Sequence, residues 1–114
     1  MRAAALLPFV LLVAGCGAPG NGTLTLAWIF ADGRRCADAG ADTVEVRVDD
    51  QKLASFACTA GSPPAAVMVD SVARAGTLSV RALSPQLSEL YRGDQPLDAA
   101  LEDRTMTLYA TGAR

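Results

Sequence analysis

The sequence predicts an all-β protein, a small antiparallel sandwich of about seven strands, and three observations carry that expectation. Apolar residues recur with period two in several short runs, of which Val44-Glu45-Val46-Arg47-Val48 is the cleanest. Clusters of Gly, Pro, Asp and Ser separate those runs, and no helical period persists over a normal helix length. The stretch from Leu24 to Cys58 gathers the only tryptophan, Trp28, with two cysteines, Cys36 and Cys58, on either side of the cleanest run. With 114 residues there is room for one domain.

The amino terminus has a different character. Met1-Arg2 is a brief positive start, followed by an apolar run from Ala3 to Ala14 broken only by Pro8. That run is too short to span a bilayer as a helix and suits the hydrophobic region of a secretory signal. It ends Leu12-Val13-Ala14-Gly15-Cys16. This ending resembles the lipobox of bacterial lipoproteins, an aliphatic residue and two small residues before a cysteine. The resemblance implies cleavage after Gly15, palmitate-type acylation of Cys16, and a mature chain held in a membrane by that lipid. The other reading is an ordinary secretory signal in which Cys16 is incidental. Gly17 is not the aspartate that retains some lipoproteins in the inner membrane, so the same resemblance favours the outer membrane of a bacterial cell envelope. Residues 1–15 are thus expected to be signal peptide, 16–22 a flexible Gly/Pro tether, and 23–114 the folded domain. The match of Asn21-Gly22-Thr23 to a glycosylation sequon is attributed to chance.

Three cysteines in an exported chain leave an odd one. If Cys16 carries lipid, Cys36 and Cys58 remain as a pair in a compartment that permits disulfides; the alternative is two buried free thiols. Closing a loop of that length is worth roughly 3 kcal/mol by chain-entropy arithmetic, which matters for so small a domain. Removing Arg2 with the signal leaves nine of the 10 Lys+Arg against 12 Asp+Glu, a mature charge of about −3. Acids and bases are interspersed, which excludes the clustered basic face that binds nucleic acid.

Along the domain, Leu24, Leu26, Trp28 and Phe30 share one face of a first strand, opposite Thr25 and Ala27. In that register Trp28 is expected in the core, although a ligand-stacking platform is the alternative. A polar loop from Ala31 to Ala41 contains Cys36; its Asp38, with Asp42 just beyond, lacks the spacing of a calcium loop. Val44, Val46 and Val48 then alternate with Glu45, Arg47 and Asp49. A hairpin turn at Asp49-Asp50-Gln51-Lys52, without the glycine that the tightest types want, leads to a strand with Ala54, Phe56 and Cys58 inward. After Gly61-Ser62-Pro63-Pro64 the run Ala65–Val69 is apolar on both faces, as in a covered strand. Asp70–Ala75 is compatible with a helical turn, but Gly76 favours a strand and tight turn. Leu78, Val80 and Ala82 mark another half-buried strand. Residues 84–94 fit either a single helical turn or a loop passing into a short strand at Leu90-Tyr91. Arg92-Gly93-Asp94 spells the integrin-binding tripeptide, read here as a chance match at a turn. The last strand is Arg104–Ala110, with Met106, Leu108 and Ala110 inward.

The tryptophan strand, the cysteine pair flanking Val44–Val48, the Ala75-Gly76 turn before Thr77–Leu83, and Leu90-Tyr91-Arg92-Gly93 before a closing strand recur together across nearly the whole mature chain. In these the domain resembles the Ig-like, transthyretin-like and carboxypeptidase-regulatory-like sandwiches of bacterial surface lipoproteins. The resemblance implies the fold and a non-catalytic accessory role; it carries no functional residues across.

The chain contains no histidine, which removes the commonest general base and metal ligand and any Ser-His or Cys-His pair. No phosphate loop, CxxC pair or dinucleotide fingerprint is present, and no cofactor or metal site is expected. The acidic pairs Asp49-Asp50 and Glu102-Asp103 fall in turns, where solvation explains them. The expected function is a non-catalytic, envelope-anchored interaction module with a protein partner. The alternatives are a structural subunit or spacer that pairs a sheet edge, and a glycan-binding accessory domain using Tyr91 or Tyr109.

Overall fold

The computed structural model of the chain describes residues 21–98 and 100–111, so the readings for the signal segment, Cys16 and tether residues 17–20 lie outside it. Wherever the sequence alternates, a strand forms. β1 (Gly22–Phe30) turns Leu24, Leu26, Trp28 and Phe30 inward, and it starts at Gly22, within the expected tether. β2 (Thr43–Val48) buries Val44, Val46 and Val48, β5 (Thr77–Leu83) buries Leu78, Val80 and Ala82, and β7 (Arg104–Ala110) buries Met106 and Leu108. β3 (Gln51–Ala57), β4 (Val67–Val72) and β6 (Glu89–Pro96) complete seven strands. The only helical pieces among the described residues are α1 (Cys36–Ala39), a short helix inside the expected polar loop, and a 3-10 turn at Cys58–Gly61.

The strand order is β3-β2-β5-β6-β7-β1-β4. Between β6 and β7 only Tyr91↔Ala110 and Arg92↔Tyr109 pair, and the sheet folds over at that corner. The half β7-β1-β4 then lies over β3-β2-β5-β6, with the core between them. The two edges, β3 and β4, touch without pairing, so the fold is an all-β barrel-like sandwich with one unzipped seam. The sheet is mixed rather than wholly antiparallel. β1 runs antiparallel to β4 but parallel to β7, with Trp28 opposite Met106. Period two tells which face of a strand is buried; it does not tell which strand lies alongside or in which direction.

Several local readings change. The β2–β3 hairpin closes on Asp49 and Asp50 alone, because both adopt positive φ (50° and 69°), as the tightest two-residue turn requires. Aspartate tolerates that region through its short polar side chain, so glycine is not needed. β4 begins at Val67, and it is an edge strand whose Met68 is 66% exposed, rather than a strand covered on both faces. Residues 84–88 form a turn with Leu87 at φ 67°, closed by the Ser84 hydroxyl, which accepts the Gln86 and Ser88 amides at 3.2 Å. β6 follows for eight residues, so the short-strand reading was right in kind and too short. Arg92-Gly93-Asp94 lies inside that strand, not at a turn, with Gly93 paired to Val80. Tyr91 is buried, because it packs on Phe30 with ring centroids 4.4 Å apart.

The outer face of β2, β5 and β6 carries an ion-pair ladder. Arg81 Nη1 donates to Glu45 Oε1 at 2.6 Å and Arg81 Nε to Glu89 Oε1 at 2.7 Å. Arg47 adds a 2.9 Å bond to Glu45, and Arg92 pairs with both Glu89 and Asp94. This explains how Glu45, on the outward phase of β2, comes to be buried. Burial pushes the Glu45 carboxyl up, but the bonds and charges of Arg47 and Arg81 outweigh it and leave its pKa below the usual 4.5. Glu89 behaves alike: burial is outweighed chiefly by Arg81.

A carboxylate depressed in the folded state stabilises fully above its unfolded pKa, and that contribution is lost as pH falls through the folded one. Urea midpoints should therefore stay level from neutral pH to about 5 and fall below about 4.5, the unfolded carboxylate range. Glu45→Gln should lower the neutral plateau by about 1–2 kcal/mol and flatten the acid limb. An acid limb of unchanged slope in that variant would contradict the role given to Glu45.

Candidate functional site

β1 carries the chain from Asn21 at one end of the sandwich to a turn at the other, and that far pole is organised by Trp28. Its indole is 1% exposed, and Nε1 donates to the Cys58 carbonyl at 2.8 Å. Phe56 packs beside it, ring centroids 6.3 Å apart. Gly61 lies against the indole so closely that a Cβ there would sit 2.5 Å from Cη2. Cys58, at the start of the same 3-10 turn, is bonded to Cys36 at the start of α1, with Cα atoms 6.0 Å apart. The disulfide reading thus holds. It joins the β1–β2 connection to the β3–β4 connection across the end of the barrel.

The turn after β1 is fixed just as tightly. The Ala31 amide donates to the Leu108 carbonyl at 2.8 Å and the Gly33 amide to the Phe30 carbonyl at 2.9 Å. Tyr91 donates its hydroxyl to Asp32 Oδ2 at 2.6 Å, and the Arg34 amide donates to Oδ1 at 3.0 Å. The Tyr91 hydroxyl first, and the Arg34 amide next, hold the Asp32 carboxyl below its usual range. The same bond pushes the Tyr91 phenol up.

Between these fixed turns lies a two-lobed cleft. One lobe, about 300 Å3, is lined by Ile29, Phe30, Gly33 and Arg34, with the Trp28 edge. The other, about 460 Å3, is lined by Ala37, Thr59 and Pro63. Arg35, Cys36 and Ser62 belong to both, so Arg35 stands on the ridge between them. No acidic side chain lines either lobe. Arg34 lies 3.8 Å from Asp32 and also bonds to the Tyr91 hydroxyl, and among the described residues Arg35 makes no ion pair. The cleft thus sets two arginines beside the aliphatic Ile29, Ala37 and Pro63.

A second depression, about 260 Å3, lies on the outer face of β1 and β7 near Thr25, Ala27 and Pro64. Its arginine, Arg104, is already bonded to Gln95 Oε1 at 3.1 Å.

Of the residues singled out from sequence, Cys36 and Cys58 come together here, and Cys16 lies outside the described residues. Tyr109 is 61% exposed, on the outer face of β7, and Tyr91 belongs to the core. Asp49 and Asp50 form the hairpin turn, while Asp38, Asp42, Glu102 and Asp103 are exposed; no three possible ligands gather for a metal among the described residues. Sequence reasoning missed Ile29, Arg34 and Arg35. Ile29 alone left a signal, being a large aliphatic on the polar phase of an alternating run, and it is 44% exposed.

Gly61→Ala should destabilise by about 1–3 kcal/mol in urea unfolding, since the indole must shift and weaken its bond to Cys58. An unchanged midpoint would refute the close packing of Gly61 on Trp28. Replacing both Cys36 and Cys58 by alanine should cost about 3 kcal/mol, the loop-closure value for a separation of 22 residues. A loss well under 1 kcal/mol would instead show that the two connections are held by Trp28 alone.

No protein-family model, curated protein or solved structure matches this chain.

Proposed function

We propose that the chain is a non-catalytic lipoprotein of the bacterial cell envelope, anchored through lipid on Cys16 in the outer membrane, that binds a protein partner. In this reading the domain is a transthyretin-like accessory sandwich and needs no cofactor. The observation that carries the binding role is the cleft with Arg35 on its ridge, a charge without an ion pair among the described residues, whereas the face of β2, β5 and β6 pairs its charges internally. Placement supports it as well. The cleft sits at the end of β1 remote from Asn21, eight residue steps or about 26 Å along the strand, so a lipid at residue 16 would leave it facing away from the bilayer.

A glycan ligand is less well supported, because sugar recognition favours an exposed aromatic face and only Tyr109 offers one; Trp28 and Tyr91 are buried. A spacer pairing through a sheet edge finds both edges, β3 and β4, against each other.

Cells expressing the full chain should incorporate labelled palmitate, and Cys16→Ser should abolish the label. Cross-linking in intact cells, followed by denaturing purification and mass spectrometry, should recover a reproducible protein adduct. Absence of label would remove the anchor from this reading. Recovery of uncross-linked protein alone, while neighbouring lipoproteins are labelled, would remove the protein partner.

A further inference from the structure

We infer that the two-lobed cleft at the disulfide pole is a docking site for an extended, acidic peptide segment of the partner, with Arg35 taking a carboxylate. This rests on the interaction-module reading and specifies its surface and ligand class.

The charge argument is local. Arg34 and Arg35 line the cleft and no acidic residue does. Of the two acids three residues from Arg35, Asp32 already accepts the Tyr91 hydroxyl at 2.6 Å and the Arg34 amide at 3.0 Å, and Asp38 is exposed and lines neither lobe. Arg35 therefore offers its planar fork of donors to a ligand, and a carboxylate matches that fork bidentately.

The shape of the cleft selects a peptide. An isolated small anion would need only Arg35, yet the site has two lobes, one on each side of it. Their walls are aliphatic or small: Ile29 and Gly33 in one, Ala37 and Pro63 in the other. In an extended chain side chains two residues apart point to the same side, so a carboxylate at the ridge puts the side chains two positions before and after it over the two lobes, where small apolar groups match the walls. Charged polysaccharide lacks that apolar complement, and the aromatics at this pole, Trp28 and Phe30, are buried.

The pole is also preorganised. The disulfide, the Trp28–Cys58 bond and the Asp32–Tyr91 bond hold the three segments that line the cleft, so little ordering accompanies binding.

The test uses the full chain in the cells that produce it, with the photo-cross-linker p-benzoylphenylalanine placed at Thr59 in the cleft, or at Lys52 or Met68 outside it. The Thr59 position should give the principal protein adduct, and the cross-linked peptide should carry Asp, Glu or a C-terminal carboxylate within a few residues of the link. Arg35→Glu should reduce its yield about tenfold to a hundredfold, as loss of a charge-assisted bond implies, with an unchanged melting temperature because Arg35 makes no ion pair among the described residues. Adducts chiefly from Lys52 or Met68 would overturn this inference while leaving the interaction-module reading standing. A Thr59 adduct on a peptide without nearby acids, or one insensitive to Arg35→Glu, would overturn the ligand class. No adduct from any position would remove both readings.

Discussion

The hydrogen bond from the Trp28 indole to the Cys58 carbonyl, 2.8 Å long, ties the two halves of the molecule at one end. Trp28 belongs to β1 in one half; Cys58 follows β3 in the other. An indole that is 1% exposed must satisfy its N–H inside the protein, since an unpaired buried donor costs about 1–3 kcal/mol. The partner it finds is the first carbonyl of a turn that the disulfide also holds, and the lack of a side chain at Gly61 lets that turn lie down on the ring. Each feature would be ordinary alone. Together they fix the 58–61 turn against β1, and the cleft inherits its shape from that arrangement.

The two outer faces resolve their polar residues differently. On β5 and β6, Arg81 and Arg92 stand directly opposite one another, a like-charge pair that is unfavourable by itself. Glu89 reaches both, Glu45 takes the other side of Arg81, and Asp94 takes the other side of Arg92. Alternating signs leave little field beyond the face, so it would not steer a charged partner. The face of β4, β1 and β7 instead carries threonines with Ile29, Met68 and Tyr109, apolar groups spaced apart as on many monomeric surfaces. On that face Arg104 donates to Gln95 Oε1 and the Pro96 carbonyl. The cleft at the pole sets Arg35 beside Ile29 and Pro63.

Much of the fold was legible because burial on one face writes itself into the sequence with period two. Val44, Val46 and Val48 in β2, or Leu78, Val80 and Ala82 in β5, are placed by that rule alone, and all six are buried. Direction and neighbours were not legible: the parallel pairing of β1 with β7 joins residues 78 positions apart, from Leu26 opposite Arg104 onward, and no local pattern encodes it. Turns with non-glycine residues at positive φ, such as Asp49-Asp50 and Leu87, escape a reading keyed to glycine. Tyr91 was misread as a surface candidate because a tyrosine can stand on either side of the boundary. What decided it was a contact with Phe30 and a bond to Asp32, both distant in sequence. The cleft was the least legible part. Arg34 and Arg35 read as ordinary loop charges until the 3-10 turn, joined through Cys36–Cys58, is brought beside them.

β1 is what relates the two ends of this protein. Its neighbours β4 and β7 hydrogen-bond to its two edges, its inward side chains lie in the core, and it is the strand that leads from Asn21 to the cleft. β4 pairs with the first half of β1, as far as Leu26, and β7 with the second half, from Leu26 onward, so the strand is held on one edge or the other along its length. On the proposed reading, the lipid at Cys16 is joined to β1 by a short tether of glycine, alanine and proline, and β1 runs from that tether to the cleft. Orientation relative to the bilayer is then set by the few tether residues, while distance from it is set by the strand. A partner that reaches the cleft would have to do so about one domain length above the membrane. That geometry suits recognition of a segment extending from another envelope protein better than recognition of anything embedded in the bilayer.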